Sequence, residues 1–172
     1  MIQKADRLSN VKEYYFSKKL REVAALRKEG KQIINMAIGS PDLPPPDAVI
    51  KALNETANTK GAHQYQSYQG IPELREAIAN FYLKHYRVSL NPNQEILPLM
   101  GSKEGIMHIS MAFLNKGDSV LIPDPGYPSY ASVSNLMQAN IISYNLNASN
   151  NWLPYYKEIE KQDLTDVKMM WI

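Results

Sequence analysis

The chain has 172 residues, of which 44% are hydrophobic and 21% are charged, so its composition indicates a folded core and argues against a disordered chain. The formal net charge of +2 is too balanced to favour nucleic acid or an anionic membrane surface as a partner. Cysteine is absent, which excludes disulfides, thiolate metal sites and cysteine nucleophiles. No apolar run is long enough to cross a bilayer and no secretion signal is visible, so we expect a cytoplasmic protein without a metal site.

The N-terminal part of the chain is predicted to begin with a helix over residues 9–28. Ser9 or Asn10 can cap that helix at its start, and Gly30 is placed to end it. Strand-like residues follow over 33–38. Residues 39–46 contain four prolines and cannot form regular structure, because each proline lacks an N–H donor and has a fixed φ. We interpret them as an ordered crossing between two structural parts, with a plain linker as the alternative.

Two helices are predicted next. Residues 47–57 have apolar side chains at helical spacing, with an aspartate in the first turn. After a polar, aromatic loop over 65–70, residues 71–86 form a second helix with Pro72 near its start. The apolar residues that are expected to face inward from this second helix are Leu74, Ile78, Phe81 and Tyr82.

From residue 96 onward, strands and helices alternate. The predicted strands are 96–100, 119–122, 139–144 and 167–172, and the predicted helices are 102–114, 129–138 and 155–161. Strands that alternate with helices in this way indicate an α/β fold with a parallel sheet. Pro98 lies inside the first strand and has no N–H to donate, so that strand should lie at an edge of the sheet.

Two of the strand-to-helix junctions suggest chemistry. After the first strand, Gly101 is expected to end the strand and Ser102 to cap the next helix, which leaves backbone N–H groups at the positive end of a helix dipole. Such a place suits a phosphate, although a plain capped helix is the alternative. At the second junction, residues 123–130 present Tyr127 at a strand end, either as a flat face for a ligand or as a half-buried loop aromatic. Together the two junctions suggest a phosphorylated heteroaromatic cofactor.

Four motifs in this order resemble a known family. They are Gly39-Ser40-Pro41-Asp42, Tyr65 followed by Gly70-Ile71-Pro72-Glu73-Leu74-Arg75, Gly101-Ser102-Lys103, and Asp124-Pro125-Gly126-Tyr127-Pro128-Ser129-Tyr130. The chain is similar through nearly its whole length to the N-terminal part of the class I/II aminotransferases, which belong to the fold type I group of enzymes that use pyridoxal 5'-phosphate.

The resemblance implies roles for individual residues. The turn at residues 101–103 would hold the cofactor phosphate, Tyr127 would stack on the pyridine ring, and Tyr65 would reach the phosphate of the partner subunit's cofactor in a homodimer. The implied cofactor-binding residues are therefore Tyr65, Gly101, Ser102, Lys103 and Tyr127.

Finer similarity points to the branch of alanine and LL-diaminopimelate aminotransferases. In that branch, a lysine at the position of Lys103 can meet a distal group of the substrate, and a tyrosine resembling Tyr14 can line the entrance, although Tyr15 is equally close. The amide of Gly39 would meet the substrate carboxylate. The implied substrate-binding residues are thus Gly39, Lys103 and Tyr14, with an amino acid and a 2-oxo acid as substrates.

The resemblance also implies an incomplete enzyme. Residues 1–46 would belong to the small domain, and residues 47–172 would form a pyridoxal-phosphate-binding large domain that is truncated after its fourth strand. The lysine that forms the Schiff base is expected beyond Ile172, so no catalytic residue is assigned here and the chain alone should be inactive.

The expected activity of the full-length protein is transfer of an amino group between an amino acid and a 2-oxo acid. One alternative is another fold type I enzyme, such as a lyase or an enzyme that forms carbon–carbon bonds. A second is a non-catalytic fragment that acts as an interaction module. A nucleotide-binding domain is disfavoured, because neither the Gly-x-Gly-x-x-Gly nor the Walker A spacing follows any predicted strand.

Overall fold

The structure is a computed structural model that describes residues 2–9, 11, 13–36 and 39–172. The chain divides into two units, one formed by Tyr14–Pro98 and the other by residues 1–13 together with Leu99–Ile172. The division into domains at residue 46 stays a prediction.

The Tyr14–Pro98 unit contains three helices, and the first of them begins later than predicted. Helix α1 spans Tyr15–Lys28 instead of starting at Ser9. Ser9 instead closes a short 3-10 turn, because its N–H donates to the carbonyl oxygen of Asp6 at 3.0 Å. Asn10, the other predicted cap, lies outside the described residues. The predicted end is confirmed: Gly30 has a φ of 84°, and its N–H donates to Arg27 O at 3.0 Å.

Residues 33–36 form no strand, contrary to the prediction, and residues 37 and 38 lie outside the described residues. Extended residues become a strand only when a neighbouring strand pairs with them, and no pairing to residues 33–36 occurs in the described part of the chain. Residues 39–46 have no regular structure, as predicted from their prolines.

Helices α2 (Asp47–Ala57) and α3 (Pro72–Tyr86) follow the sequence prediction closely, with Pro72 in the first turn of α3. The prediction that the apolar residues of α3 face inward was wrong for three of them, since Leu74 is 45% exposed and Phe81 and Tyr82 are similarly open. The buried side chain of α3 is Arg75, whose Nη1 donates to Pro92 O at 2.9 Å. A polar contact therefore ties α3 to the loop that follows it.

The second unit contains the sheet. Its elements are helix α4 (Ser102–Phe113), strand β1 (Ser119–Asp124), helix α5 (Pro128–Leu136), strand β2 (Asn140–Asn145), helix α6 (Tyr156–Ile159) and strand β3 (Val167–Met170). The strand order is β2-β1-β3, and both pairs are parallel. The predicted α/β fold with a parallel sheet and flanking helices is confirmed.

β1 supplies more of the buried core than any other element, because it lies between two strands and is covered on both faces. Val120 and Ile122 pack on one face and Leu121 on the other, as expected for alternating side chains of a strand. Since helices follow the strands of a parallel sheet, both faces can be buried. The other buried members of the two clusters are Leu114 and Ala139 on the first face and Tyr144 and Ile159 on the second.

The predicted strand over 96–100 is absent, so the described sheet has three strands and not four. Residues 96–99 carry no regular structure, because no strand of the described sheet pairs with them and Pro98 has no N–H to donate. None of the helices in the described ranges has the length and apolarity needed to span a membrane.

Candidate functional site

The turn into α4 depends on the backbone of Gly101. Gly101 is the N-cap of α4, with φ 110° and ψ 152°, and its carbonyl oxygen accepts the N–H of Glu104 at 3.2 Å. This positive φ is a conformation that residues with a Cβ rarely adopt. Ser102, which was predicted to be the cap, is instead the first residue of the helix. Its hydroxyl therefore lies in the first turn, beside the helix N-terminus.

The start of α4 has the electrostatic character that an anion requires. The first N–H groups of an α-helix have no intrahelical acceptor, and the aligned peptide dipoles leave partial positive charge there. Ser102 and Lys103 are both exposed at this end. A Cβ added to Gly101 would meet no atom of the described residues within 4 Å, so they leave the space beside the turn open. This turn can therefore offer amides, a hydroxyl and an ammonium group to a phosphate.

The loop after β1 positions Tyr127. Gly126 is required there, because a Cβ would lie 2.2 Å from the carbonyl oxygen of Pro123. Tyr127 is the N-cap of α5 and Pro128 its first residue, so the fixed φ of proline starts the helix directly after the tyrosine. The Tyr127 side chain is 40% exposed, and one part of its surface is thus open to a ligand.

One aromatic side chain contacts the ring of Tyr127, and a second packs on the first. Tyr130 meets it edge to face, with ring centres 5.6 Å apart and an interplanar angle of 81°. Tyr130 in turn stacks on Trp171, which follows β3, at 4.7 Å and 5°. Sequence reasoning missed both residues, although the three-residue spacing of Tyr127 and Tyr130 across a helix start was a usable signal.

Lys103 and Tyr127 bring the two predicted junctions together. The Lys103 ammonium lies 5.8 Å from the centre of the Tyr127 ring. The pKa of Tyr127 is lowered, chiefly because the Ser129 hydroxyl hydrogen-bonds to the phenol and also because Lys103 stabilises the phenolate. The site thus combines a helix N-terminus that can bind an anion, a cation and an aromatic ring.

Three of the sequence-predicted residues lie in the Tyr14–Pro98 unit. Tyr65 is fully exposed, Gly39 is exposed, and Tyr14 is 48% exposed and precedes α1. The structure thus gathers Gly101, Ser102, Lys103 and Tyr127 in one unit and leaves these three in the other. Within the described ranges, no group of three or more histidine, aspartate or glutamate side chains could hold a metal ion.

Comparison with known proteins gives consistent matches. The model of the family "Aminotransferase class I and II" matches residues 31–172. The chain is 42% identical over 166 residues to an LL-diaminopimelate aminotransferase of Dehalococcoides mccartyi, covering 96% of this chain and 43% of that protein. It is 36% identical to an LL-diaminopimelate aminotransferase of Halothermothrix orenii, covering 99% of this chain and 44% of that protein.

Solved structures agree with these sequences. Apo-BacF from Bacillus subtilis has a TM-score of 0.90 and 34% identity, covering all of this chain and 44% of that one. The alanine aminotransferase of Pyrococcus furiosus has a TM-score of 0.82 and 27% identity, covering 98% of this chain and 43% of that one. The chain therefore spans less than half the length of the relatives that it matches.

Proposed function

Since the chain belongs to the class I and II aminotransferases, we propose that the full-length protein transfers an amino group between an amino acid and a 2-oxo acid, with pyridoxal 5'-phosphate as its cofactor. The observation that carries the proposal is the contact between Lys103, in the first turn of α4, and the ring of Tyr127. A phosphate and a flat heteroaromatic ring are joined in this cofactor, and the site offers a surface for each.

The phosphate would bind at the turn into α4. The amides of Ser102 and Lys103 and the Ser102 hydroxyl can donate to its oxygens, and the helix dipole favours its negative charge. Gly101 contributes by its conformation, because its positive φ directs the chain into the helix. The Lys103 ammonium adds a positive charge at the same end.

The ring would lie against Tyr127. Because Tyr130 contacts the Tyr127 ring edge to face and is itself stacked on Trp171, the Tyr127 ring has a packed neighbour before a ligand arrives, which lowers the entropic cost of binding. Pyridoxal phosphate supplies, when bound, the electron sink that amino-group exchange needs. The described residues would anchor and orient the cofactor. We assign the proton transfer to none of them.

For the substrate, we propose LL-diaminopimelate or an amino acid of similar length with a polar distal end. This choice rests on the names of the relatives and on Lys103, whose ammonium can pair with a distal carboxylate. Gly39 would offer its amide to the substrate's α-carboxylate, and Tyr14 would line the entrance.

Tyr65 would serve the neighbouring active site in a homodimer. Tyr65 is 105% exposed, so none of the described residues of its own unit covers it, which suits a residue that binds beyond that unit. A cytoplasmic location stays a prediction.

The proposal is tested by assaying the purified full-length protein with pyridoxal phosphate, LL-diaminopimelate and 2-oxoglutarate. We expect one glutamate to appear for each donor consumed, and Tyr127→Ala to reduce the rate. Release of ammonia or pyruvate in place of glutamate would favour a lyase of the same fold group. No turnover of any donor and no cofactor binding would favour an interaction module.

A further inference from the structure

The side chain of Glu104 holds the chain segment that enters α4. We propose that Glu104 is a positioning residue that keeps the turn at residues 100–102 in the shape that binds the cofactor phosphate. This inference rests on the proposed function, because it names how that same site is kept in order.

The first observation is a short hydrogen bond. Oε2 of Glu104 accepts the backbone N–H of Met100 at 2.6 Å. Met100 is 93% exposed, so its side chain gains little packing that could fix its position. Gly101 has no side chain to cap the helix. The position of the Met100 backbone therefore depends on the Glu104 side chain, which is long enough to reach this N–H.

The second observation concerns Leu99, which precedes Met100, and Gly105, which follows Glu104. A Cβ added to Gly105 would lie 2.6 Å from Cδ1 of Leu99, so the side chain of Leu99 occupies the space that glycine leaves open. Two consecutive residues of the helix, Glu104 and Gly105, thus contact two consecutive residues of the entering segment, Met100 and Leu99. These two contacts together fix the path of the chain into Gly101.

The choice of donor distinguishes this contact from an ordinary helix cap. In a capping box, the side chain at this helical position accepts the N–H of the N-cap residue. Glu104 instead accepts from Met100, the residue before the N-cap. Its carboxylate therefore engages an amide outside the helix and not the amides of Ser102 and Lys103, which the phosphate would use.

The test compares three variants of the full-length protein. Glu104→Ala removes the acceptor, Glu104→Gln keeps an acceptor of the same length without the charge, and Glu104→Asp keeps the charge but is one methylene shorter. For each, the dissociation constants of pyridoxal phosphate and of pyridoxal, which lacks the phosphate, are measured by absorbance titration. Glu73→Ala is the matched control, because Glu73 also lies in the first turn of a helix, α3.

If the length of the Glu104 side chain is what matters, the alanine and aspartate variants lose about tenfold in affinity for pyridoxal phosphate, the scale of one hydrogen bond. Their affinity for pyridoxal should stay unchanged, and Glu104→Gln and Glu73→Ala should bind both compounds like the unmodified protein. Equal losses for both compounds would show a general structural role. An aspartate variant that binds normally beside a weakened glutamine variant would show a role of charge. Either result would overturn the inference while leaving the proposed function intact.

A second readout needs no cofactor. Amide hydrogen exchange at Met100 should become faster in Glu104→Ala and should be unchanged in Glu73→Ala. Unchanged exchange at Met100 in the alanine variant would contradict the inference. If the unmodified protein binds neither compound, the proposed function fails, and the inference that rests on it fails too.

Discussion

The ammonium nitrogen of Lys103 lies 5.8 Å from the centre of the Tyr127 ring, so the start of α4 and the loop after β1 meet at these two side chains. The contact joins the part of the site that suits a phosphate to the part that suits a ring. It also has consequences that can be measured on the tyrosine itself.

The ionisation of Tyr127 should respond to both of its neighbours. Its pKa is lowered first by the Ser129 hydroxyl, which stabilises the ionised oxygen by hydrogen bonding, and then by Lys103. Ser129→Ala should therefore raise the pKa of Tyr127 toward its ordinary value, and Lys103→Met should raise it by less. The phenolate absorbance during an alkaline titration measures both changes.

Because the chain has 11 tyrosines, the signal of Tyr127 is obtained by subtracting the titration of Tyr127→Phe. A Tyr127 titration that neither variant moves would contradict the electrostatic description of this pair.

The face of the Tyr127 ring should contribute more to cofactor binding than its hydroxyl. Tyr127→Ala should weaken the binding of pyridoxal phosphate by about 1–3 kcal/mol, the scale on which a stacked aromatic side chain contributes. Tyr127→Phe keeps the face and should lose less than about 1 kcal/mol. Titration of the two full-length variants with the cofactor measures both values, and equal losses would show that the hydroxyl is the important group.

The loop that carries Tyr127 should not accept a side chain at residue 126. In Gly126→Ala the new Cβ would lie 2.2 Å from Pro123 O, a backbone atom that cannot move alone. The free energy of unfolding should fall by about 1–3 kcal/mol, as for other forced overpacking.

Gly39→Ala is the matched control for that substitution, since a Cβ at Gly39 would meet none of the described residues within 4 Å. Its free energy of unfolding should change by less than about 1 kcal/mol. Denaturant unfolding of both variants provides the comparison. Equal stability of the two alanine variants would show that the loop adapts without cost.

If Tyr65 serves the partner's site, two impaired variants should restore activity when they are combined in one dimer. In a mixed dimer of Tyr65→Phe and Tyr127→Ala subunits, one site combines an intact Tyr127 with the intact Tyr65 of the other subunit. The second site carries both defects. Mixed dimers should therefore have close to half of the activity of the unmodified dimer, which is more than either variant has alone. If Tyr65 acts within its own subunit, each site carries one defect and no activity returns.

The sequence predicted the elements whose signals are local. The proline at the start of α3, the glycine after α1 and the apolar run of β1 each act through neighbouring residues, and the structure agrees at all three. The prediction of a strand over 96–100 was wrong, because a strand needs a neighbouring strand to pair with and the residues themselves do not show whether one is present. The prediction that the apolar face of α3 is buried was wrong for a related reason, since helical spacing shows that a face is apolar but not which residues cover it.

The site was predictable only in part, for the same reason. Gly101 and Tyr127 stand beside recognisable turn and proline signals. Glu104 and Trp171 do not, because their contacts with Met100 and Tyr130 depend on how the backbone folds back. The residues that hold a site in place are therefore harder to predict than those that present the chemistry.

The phosphate-binding turn is the central claim, and a crystal structure of the full-length protein with pyridoxal phosphate tests it most directly. We expect the phosphate at the amides of Ser102 and Lys103, with the Ser102 hydroxyl donating to it. Ser102→Ala should then weaken cofactor binding by about 1.5–3 kcal/mol, the value of a hydrogen bond to a charged group. A phosphate bound elsewhere, with these two amides paired within the protein, would contradict the claim.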